Sequence, residues 1–136
     1  MNPRTLDAAD HEPLLQAAQA AAKNAYARYS KFHVGAALLL ESGEIVAGCN
    51  VENASYGLTM CAERAAIFAA VAQFGPEVRI RSILVVSGDG APCAPCGACR
   101  QVIYEFGPEA TLIFKALSGW THQAITDLLP HGFRLT

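Results

Sequence analysis

Two cysteine motifs constrain the fold of this chain more than any other feature of its sequence. The first is Cys61-Ala62-Glu63-Arg64, and the second is Pro95-Cys96-Gly97-Ala98-Cys99-Arg100. Thiolates from two distant segments can bind one metal ion only if the fold brings both segments together. Three protein ligands leave the fourth position of a tetrahedral zinc ion open to water, whereas four cysteines close it. The motifs therefore predict an open zinc site held by Cys61, Cys96 and Cys99.

Both motifs fall where a helix is expected to begin. Helical patterns run from Cys61 to Phe74 and from Cys96 to Phe106, and a Gly-Pro pair follows each of them as a stop signal. Cys96 and Cys99 are three residues apart, so they share a helix face and can bind one ion. The first turn of a helix also stabilises thiolates through its free N–H groups and its dipole.

Glu63 is the candidate catalytic group. In the first helical turn it can reach the same ion as Cys61, and a carboxylate is the proton carrier that a zinc-activated water needs. The spacing of Cys-x-Glu followed by P-C-x-x-C resembles that of the zinc-dependent nucleobase deaminases. Arg64 and Arg100 each adjoin a cysteine, where a guanidinium could hydrogen-bond the sulfur and offset the excess negative charge of three thiolates.

Two other interpretations of the cysteines remain open. Free cysteine is among the most buried residue types, so these side chains could be inert core residues. A closed four-cysteine site is the second alternative, because Cys93 stands three residues before Cys96. Cys93 lies in a loop between Pro92 and Pro95, however, and is not held on the helix face. Cys49 lies inside a predicted strand and is a poorer candidate.

The apolar pattern predicts one α/β domain that spans residues 1–136. An amphipathic first helix is expected over residues 13–27, and Glu41-Ser42-Gly43 is a hairpin signal between two apolar runs. The predicted strands cover residues 34–40, 44–50, 80–87 and 111–116. A last helical turn is expected near residues 125–129. The order α-β-β-α-β-α-β favours a mixed sheet with helices on both faces.

Charge and composition disfavour several classes of function. The net charge is −2, and the ten Lys and Arg residues are scattered rather than gathered into the basic stripe of a nucleic-acid-binding protein. We therefore expect a small, weakly charged substrate. No apolar run is long enough to cross a membrane, and the first residues lack the apolar core of a signal peptide. Five cysteines in an odd, clustered pattern do not indicate disulfides, so a cytoplasmic location is expected.

From about residue 29 to residue 133, the chain resembles the small homotetrameric cytidine deaminases. Besides the cysteine motifs, the matching stretches are Tyr29–Ala37, Gly48–Tyr56 and Leu128–Phe133. The resemblance implies a three-layer α-β-α fold whose mixed sheet has five strands, and one zinc ion per chain. It also implies a homotetramer, which agrees with the high hydrophobic share of 52%. The implied reaction is hydrolytic deamination of cytidine and 2′-deoxycytidine to the uridines, with release of ammonia, as in pyrimidine salvage.

The resemblance further implies roles for residues around the substrate. Asn50 and Glu52 are two apart, so both point to one side of a strand, and in the family this pair binds the ribose 3′-hydroxyl. Phe32 is similar to the family's aromatic residue that packs against the base, and the N–H of Ala62 could read the pyrimidine edge. The loop with Tyr56 resembles a segment that completes a neighbouring subunit's site.

Phe133 is similar to the family's aromatic residue that lies over the base in a neighbouring subunit. Three other functions stay open as alternatives. A blasticidin-type deaminase shares both cysteine motifs, although Asn50, Glu52 and Phe133 favour a plain nucleoside. A deaminase acting on polynucleotides is disfavoured by the charge balance, and a structural zinc module would need four ligands and leave Glu63 without a role.

Overall fold

The computed structural model describes residues 8–135, and side chains from His11 onward. Its elements are five strands, four α-helices and one short 3-10 helix within this part of the chain. The strands are β1 Val34–Leu40, β2 Ile45–Cys49, β3 Ile80–Ser87, β4 Thr111–Ala116 and β5 Gly119–Ala124. The helices are α1 Ala8–Ala22, α2 Ala62–Phe74, α3 Gly97–Phe106, α4 Ile125–Leu128 and the 3-10 helix Tyr56–Leu58. None of the described helices is long and apolar enough to cross a bilayer.

The five strands form one mixed sheet in the order β2-β1-β3-β4-β5. β1 pairs antiparallel with both β2 and β3, β3 pairs parallel with β4, and β4 pairs antiparallel with β5. The parallel pair needs a crossover, and α3 supplies it. The loop from β3 into α3 therefore leaves the carboxyl end of the sheet, which is where α/β folds commonly place their sites.

Helices cover both faces of the sheet, as the three-layer prediction requires. α1 packs on one face, where its Leu14 and Ala18 meet Ala37 and Leu39 of β1 in a buried cluster. The alternate residues of β1 point to the other face, into a larger cluster that includes residues of α2 and α3. Because both faces of β1 are buried, all seven of its residues are apolar and buried.

Two glycines set how closely the helices approach the sheet. A Cβ atom on Gly35 of β1 would lie 1.8 Å from the carbonyl oxygen of Ala18, and one on Gly48 of β2 would lie 2.5 Å from the amide nitrogen of Ala66. Both distances are far below contact, so only glycine permits this packing. Gly48 thereby determines the position of α2 and of the cysteine motif at its start.

The predicted element boundaries need three corrections. The first helix runs over Ala8–Ala22 rather than residues 13–27, because the segment after it turns towards the sheet, where Tyr26 forms a bridge with Val51. The strand predicted over residues 44–50 is one residue shorter at each end. The pattern also missed β5, because its residues are polar or half-exposed on an edge of the sheet.

Candidate active site and metal centre

The sulfur atoms of Cys61, Cys96 and Cys99 form the only group of three or more possible metal ligands in the described part of the chain. All three sulfurs lie within 4.8 Å of one another. The Cys61–Cys96 distance is 4.0 Å and the Cys96–Cys99 distance is 3.4 Å. Sulfurs on one tetrahedral zinc ion, each at about 2.3 Å from the metal, are about 3.8 Å apart. The observed distances lie on either side of this value, so the three thiols fit a zinc ion.

Helix starts hold these sulfurs in place. Cys61 and Cys96 have extended backbone conformations and are the N-cap residues of α2 and α3. The amide N–H of Cys99 donates to the Cys96 sulfur at 3.4 Å. Free N–H groups of a first turn favour a negative sulfur, so the fold supports thiolates before any metal binds.

Arg64 supplies a second source of positive charge. Its Nη2 donates to the Cys61 sulfur at 3.3 Å. A hydrogen bond from Cys99, together with this one from Arg64, lowers the pKa of Cys61 to about 5 despite partial burial. Cys99 keeps its proton in return, because the hydrogen bond to Cys61 and burial raise the pKa of Cys99. A bound cation would release that proton, since metals bind the thiolate form.

Arg100 has different partners from those expected of it. Its Nε donates to the carbonyl oxygen of Pro95 at 2.9 Å, and its Nη1 donates to that of Leu128 at 3.1 Å. These bonds tie the segment before Cys96 to the C-terminal end of α4. Arg100 thus holds the backbone that carries the motif, whereas Arg64 contacts a sulfur.

Glu63 is a buried carboxyl beside the sulfurs, with only 4% of its surface exposed. Burial raises its pKa to about 7, and the negative charge of Cys61 acts in the same direction. A carboxyl with a pKa near neutrality can both accept and donate a proton at working pH. Strongly shifted carboxyls in a cavity are typical of functional sites.

A cavity of about 210 Å³ opens onto this group. Phe32 and Asn50 lie on its wall, as do Ala62 and Glu63 from the start of α2. The full lining is Phe32, Val34, Asn50, Thr59, Met60, Cys61, Ala62, Glu63, Cys93, Ala94 and Cys96. Four residues singled out from the sequence for catalysis or substrate binding therefore meet two of the three cysteines.

Asn50 and Glu52 line different cavities. Asn50 accepts a hydrogen bond from the Val34 amide at 2.9 Å and donates to the Phe32 carbonyl at 2.8 Å. Glu52 accepts from the Ser30 hydroxyl and from the amides of Tyr29 and Ser30, and these bonds lower the pKa of Glu52. Its cavity, about 400 Å³, adjoins the first one, since Thr59 lines both.

Tyr56 and Phe133 stand away from the cysteines. Tyr56 lines the cavity of Glu52 and is 79% exposed, and Phe133 is 67% exposed, with its carbonyl accepting a hydrogen bond from Gln101. Neither side chain lines the cavity at Glu63 within its own chain. Such large exposed aromatic side chains are common where another surface packs.

Cys93 belongs to the cavity wall and not to the sulfur group. It is absent from the metal-ligand cluster, as is Cys49, which agrees with their exclusion as ligands. Burial raises the pKa of Cys93 to about 11, so its thiol stays neutral. The sequence suggested Cys93 only as a fourth ligand. Its place on the cavity wall follows from the loop between β3 and α3, which no local pattern reveals.

Comparison with known proteins supports the same conclusion as the site. Residues 8–115 match the family model described as the cytidine and deoxycytidylate deaminase zinc-binding region. A cytidine deaminase of Sporosarcina psychrophila is 51% identical over 127 residues, covering 91% of each chain. The crystal structure of cytidine deaminase from Mycobacterium tuberculosis superposes with a TM-score of 0.82 at 42% identity, covering 93% of this chain and 98% of that one.

A more distant relative is the blasticidin-S deaminase of Bacillus cereus. It is 32% identical over 114 residues, covering 74% of this chain and 76% of the relative. Family, fold, zinc-compatible sulfurs and buried carboxyl thus agree with one another. This chain belongs to the cytidine and deoxycytidylate deaminase family of zinc-dependent enzymes.

Proposed function

We propose that this protein catalyses the hydrolytic deamination of cytidine and 2′-deoxycytidine to uridine and 2′-deoxyuridine, with release of ammonia in pyrimidine salvage. One observation carries the proposal: three zinc-compatible sulfurs and a buried carboxyl with a raised pKa border the same small cavity. An open metal position next to a proton carrier suits addition of water to a ring carbon.

The cysteines and Glu63 divide the chemistry between them. Cys61, Cys96 and Cys99 hold the zinc ion, which supplies Lewis acidity that makes water a nucleophile at neutral pH. Glu63 accepts the proton of that water and delivers it to ring N3, which makes C4 electrophilic. After the water oxygen has added at C4, Glu63 protonates the departing amine. A pKa near 7 suits a group that must act as base and acid in one turnover.

The cavity walls support the assignment of substrate contacts. Phe32 offers an aromatic face to the base, and the N–H of Ala62 at the start of α2 can donate to the pyrimidine edge. Asn50 fixes the backbone of Phe32 and Val34 and borders the same space. The carboxylate of Glu52 lies in the adjoining cavity, which suits a ribose hydroxyl that extends from the base.

The most direct test is an assay of absorbance change with cytidine and 2′-deoxycytidine, together with a measurement of zinc content. Cytidine turnover by protein with about one zinc per chain would support the proposal. Blasticidin S is the control substrate, because a related deaminase acts on it. Turnover of blasticidin S without turnover of cytidine would contradict the proposal.

The substrate cavity also supports an oligomer. Its volume of about 210 Å³ is below the range of about 300–1,000 Å³ typical of small-molecule sites, and Tyr56 and Phe133 are exposed in the single chain. We propose a cytoplasmic homotetramer in which each chain, residues 1–136, is a single domain and neighbouring chains complete each site.

The first prediction concerns Arg64. Arg64→Gln should retain zinc but slow deamination by about 10–100-fold, the usual loss when a residue that hydrogen-bonds a metal ligand is replaced. Without the guanidinium, more negative charge stays on the Cys61 sulfur and the metal becomes a weaker Lewis acid. The pH–rate profile should therefore move to higher pH.

Arg100→Gln is the matched control for Arg64→Gln. Its hydrogen bonds go to carbonyl oxygens, so we expect a change in stability without a displaced pH–rate profile. If Arg64→Gln left both the rate and the pH profile unchanged, the contact with Cys61 would have no part in catalysis.

The second prediction tests whether neighbouring chains share sites. Chains with Glu63→Gln should be inactive and chains with Phe133→Ala impaired. If Phe133 serves a neighbour's site, co-refolding the two variants creates some sites with an intact Glu63 and an intact Phe133. The activity of the mixture should then exceed that of either variant.

Tagged and untagged chains would show by mass spectrometry that mixed oligomers have formed. Mixed oligomers whose activity is only the sum of the separate variants would contradict the shared site. In that case Phe133 would act within its own chain or have no role in the reaction.

A further inference from the structure

Three aromatic side chains outside the active site meet where α1 passes the edge strand β5. The ring of His11 lies edge-on to Trp120, with ring centres 5.3 Å apart and planes at 81°. It lies nearly parallel to His122, with ring centres 6.0 Å apart and planes at 11°. We call this set the His11–Trp120–His122 cluster.

Strand pairing places this cluster on the face of the sheet that α1 covers. His122 of β5 lies opposite Ile113 of β4, and Ile113 packs with Leu14 of α1 in the core. Directly opposed residues of paired strands share a face, so His122 points to the side of α1. His122 is exposed to solvent, which gives an ion access to its imidazole.

We propose that His11 and His122 form a second metal site, which binds a divalent transition-metal ion such as Ni²⁺ through two imidazole nitrogens and water. Imidazole suits nickel, copper and zinc. A nitrogen–metal distance of about 2.0–2.1 Å allows two rings on one ion to have centres up to about 6.5 Å apart. The observed 6.0 Å lies within this limit.

The surroundings indicate modest affinity and a structural effect. The Lys115 ammonium, 5.6 Å from the ring centre of Trp120, opposes a second positive charge nearby. An ion held by both histidines would connect the beginning of α1 to the last strand of the sheet. Because the unfolded chain lacks this geometry, the ion stabilises the folded state in proportion to its binding.

Trp120 provides the measurement, because it is the only tryptophan of the chain. Zinc-loaded protein without a histidine tag is titrated with Ni²⁺, so that the cysteine site is already filled. We expect saturable quenching of Trp120 fluorescence, with one Ni²⁺ per chain. Mg²⁺ prefers oxygen ligands and should not quench.

His11→Phe and His122→Phe keep an aromatic ring but remove the ligand, so each should weaken Ni²⁺ binding at least about tenfold. His33→Phe is the matched control and should bind Ni²⁺ like the wild type. Zinc content and circular dichroism check that each variant is folded, and calorimetry on the wild type gives the stoichiometry independently. No saturable binding by the wild type, or equal binding by both cluster variants, would overturn the proposal.

Discussion

Glu63→Gln should lower the turnover of cytidine by at least about 10²–10⁴-fold, the usual contribution of general acid–base catalysis. Glutamine has nearly the same shape as glutamate but cannot carry a proton between water, ring N3 and the leaving amine. The three sulfurs are untouched, so zinc content should remain that of the wild type. Activity within about tenfold of the wild type would exclude Glu63 as the proton carrier.

A second measurement on Glu63→Gln separates catalysis from damage to the fold. In zinc-depleted protein the folded carboxyl keeps its proton up to about pH 7, whereas an ordinary glutamate releases it near 4.5. Ionisation of Glu63 therefore lowers the free energy of unfolding as the pH rises between these values. The full difference is about 3 kcal/mol above pH 7.

Glutamine does not ionise, so zinc-depleted Glu63→Gln should be more stable than zinc-depleted wild type at pH 8 and equally stable at pH 4. Urea unfolding at both pH values measures the difference. A variant that is inactive and also less stable at pH 8 would indicate a disrupted site rather than a missing proton carrier.

The largest effect on the metal is expected from the cysteines. Cys61→Ala, Cys96→Ala or Cys99→Ala should each abolish stoichiometric zinc binding and activity, because two remaining thiolates form too incomplete a shell for a stable zinc site. Zinc analysis after dialysis and the cytidine assay measure the two losses separately. Added zinc should raise the Tm of the wild type and not that of these variants.

Cys93→Ala and Cys49→Ala are the controls, because each removes a cysteine that lies outside the sulfur cluster. Both should retain about one zinc per chain. Loss of zinc in Cys93→Ala alone would favour the closed four-cysteine site and contradict the open catalytic one.

Much of the fold could be predicted because its elements carry strong local signals. β3 and β4 are continuous apolar runs, and their observed bounds match the prediction. β5 escaped prediction because an edge strand exposes one side and needs few apolar residues. The end of α1 was wrong by several residues because the bridge between Tyr26 and Val51, far apart in sequence, draws the chain out of the helix.

The predicted site shows the same division. That the two cysteine motifs meet is confirmed by the sulfur cluster. The neighbours of Arg64 and Arg100 could not be told apart from sequence, since each simply follows a cysteine. Only the structure shows that one donates to a sulfur and the other to the carbonyl oxygens of Pro95 and Leu128.

The sequence by itself determined the chemical groups of the site: three thiols and one carboxyl, placed in the first turns of two helices. This was possible because spacing within a helical turn is a local property. Tertiary structure alone decided the burial that raises the pKa of Glu63, the neutral state of Cys93, and the separation of Asn50 and Glu52 into adjoining cavities. Burial and cavity shape depend on contacts between residues far apart in the chain, and no local pattern contains them.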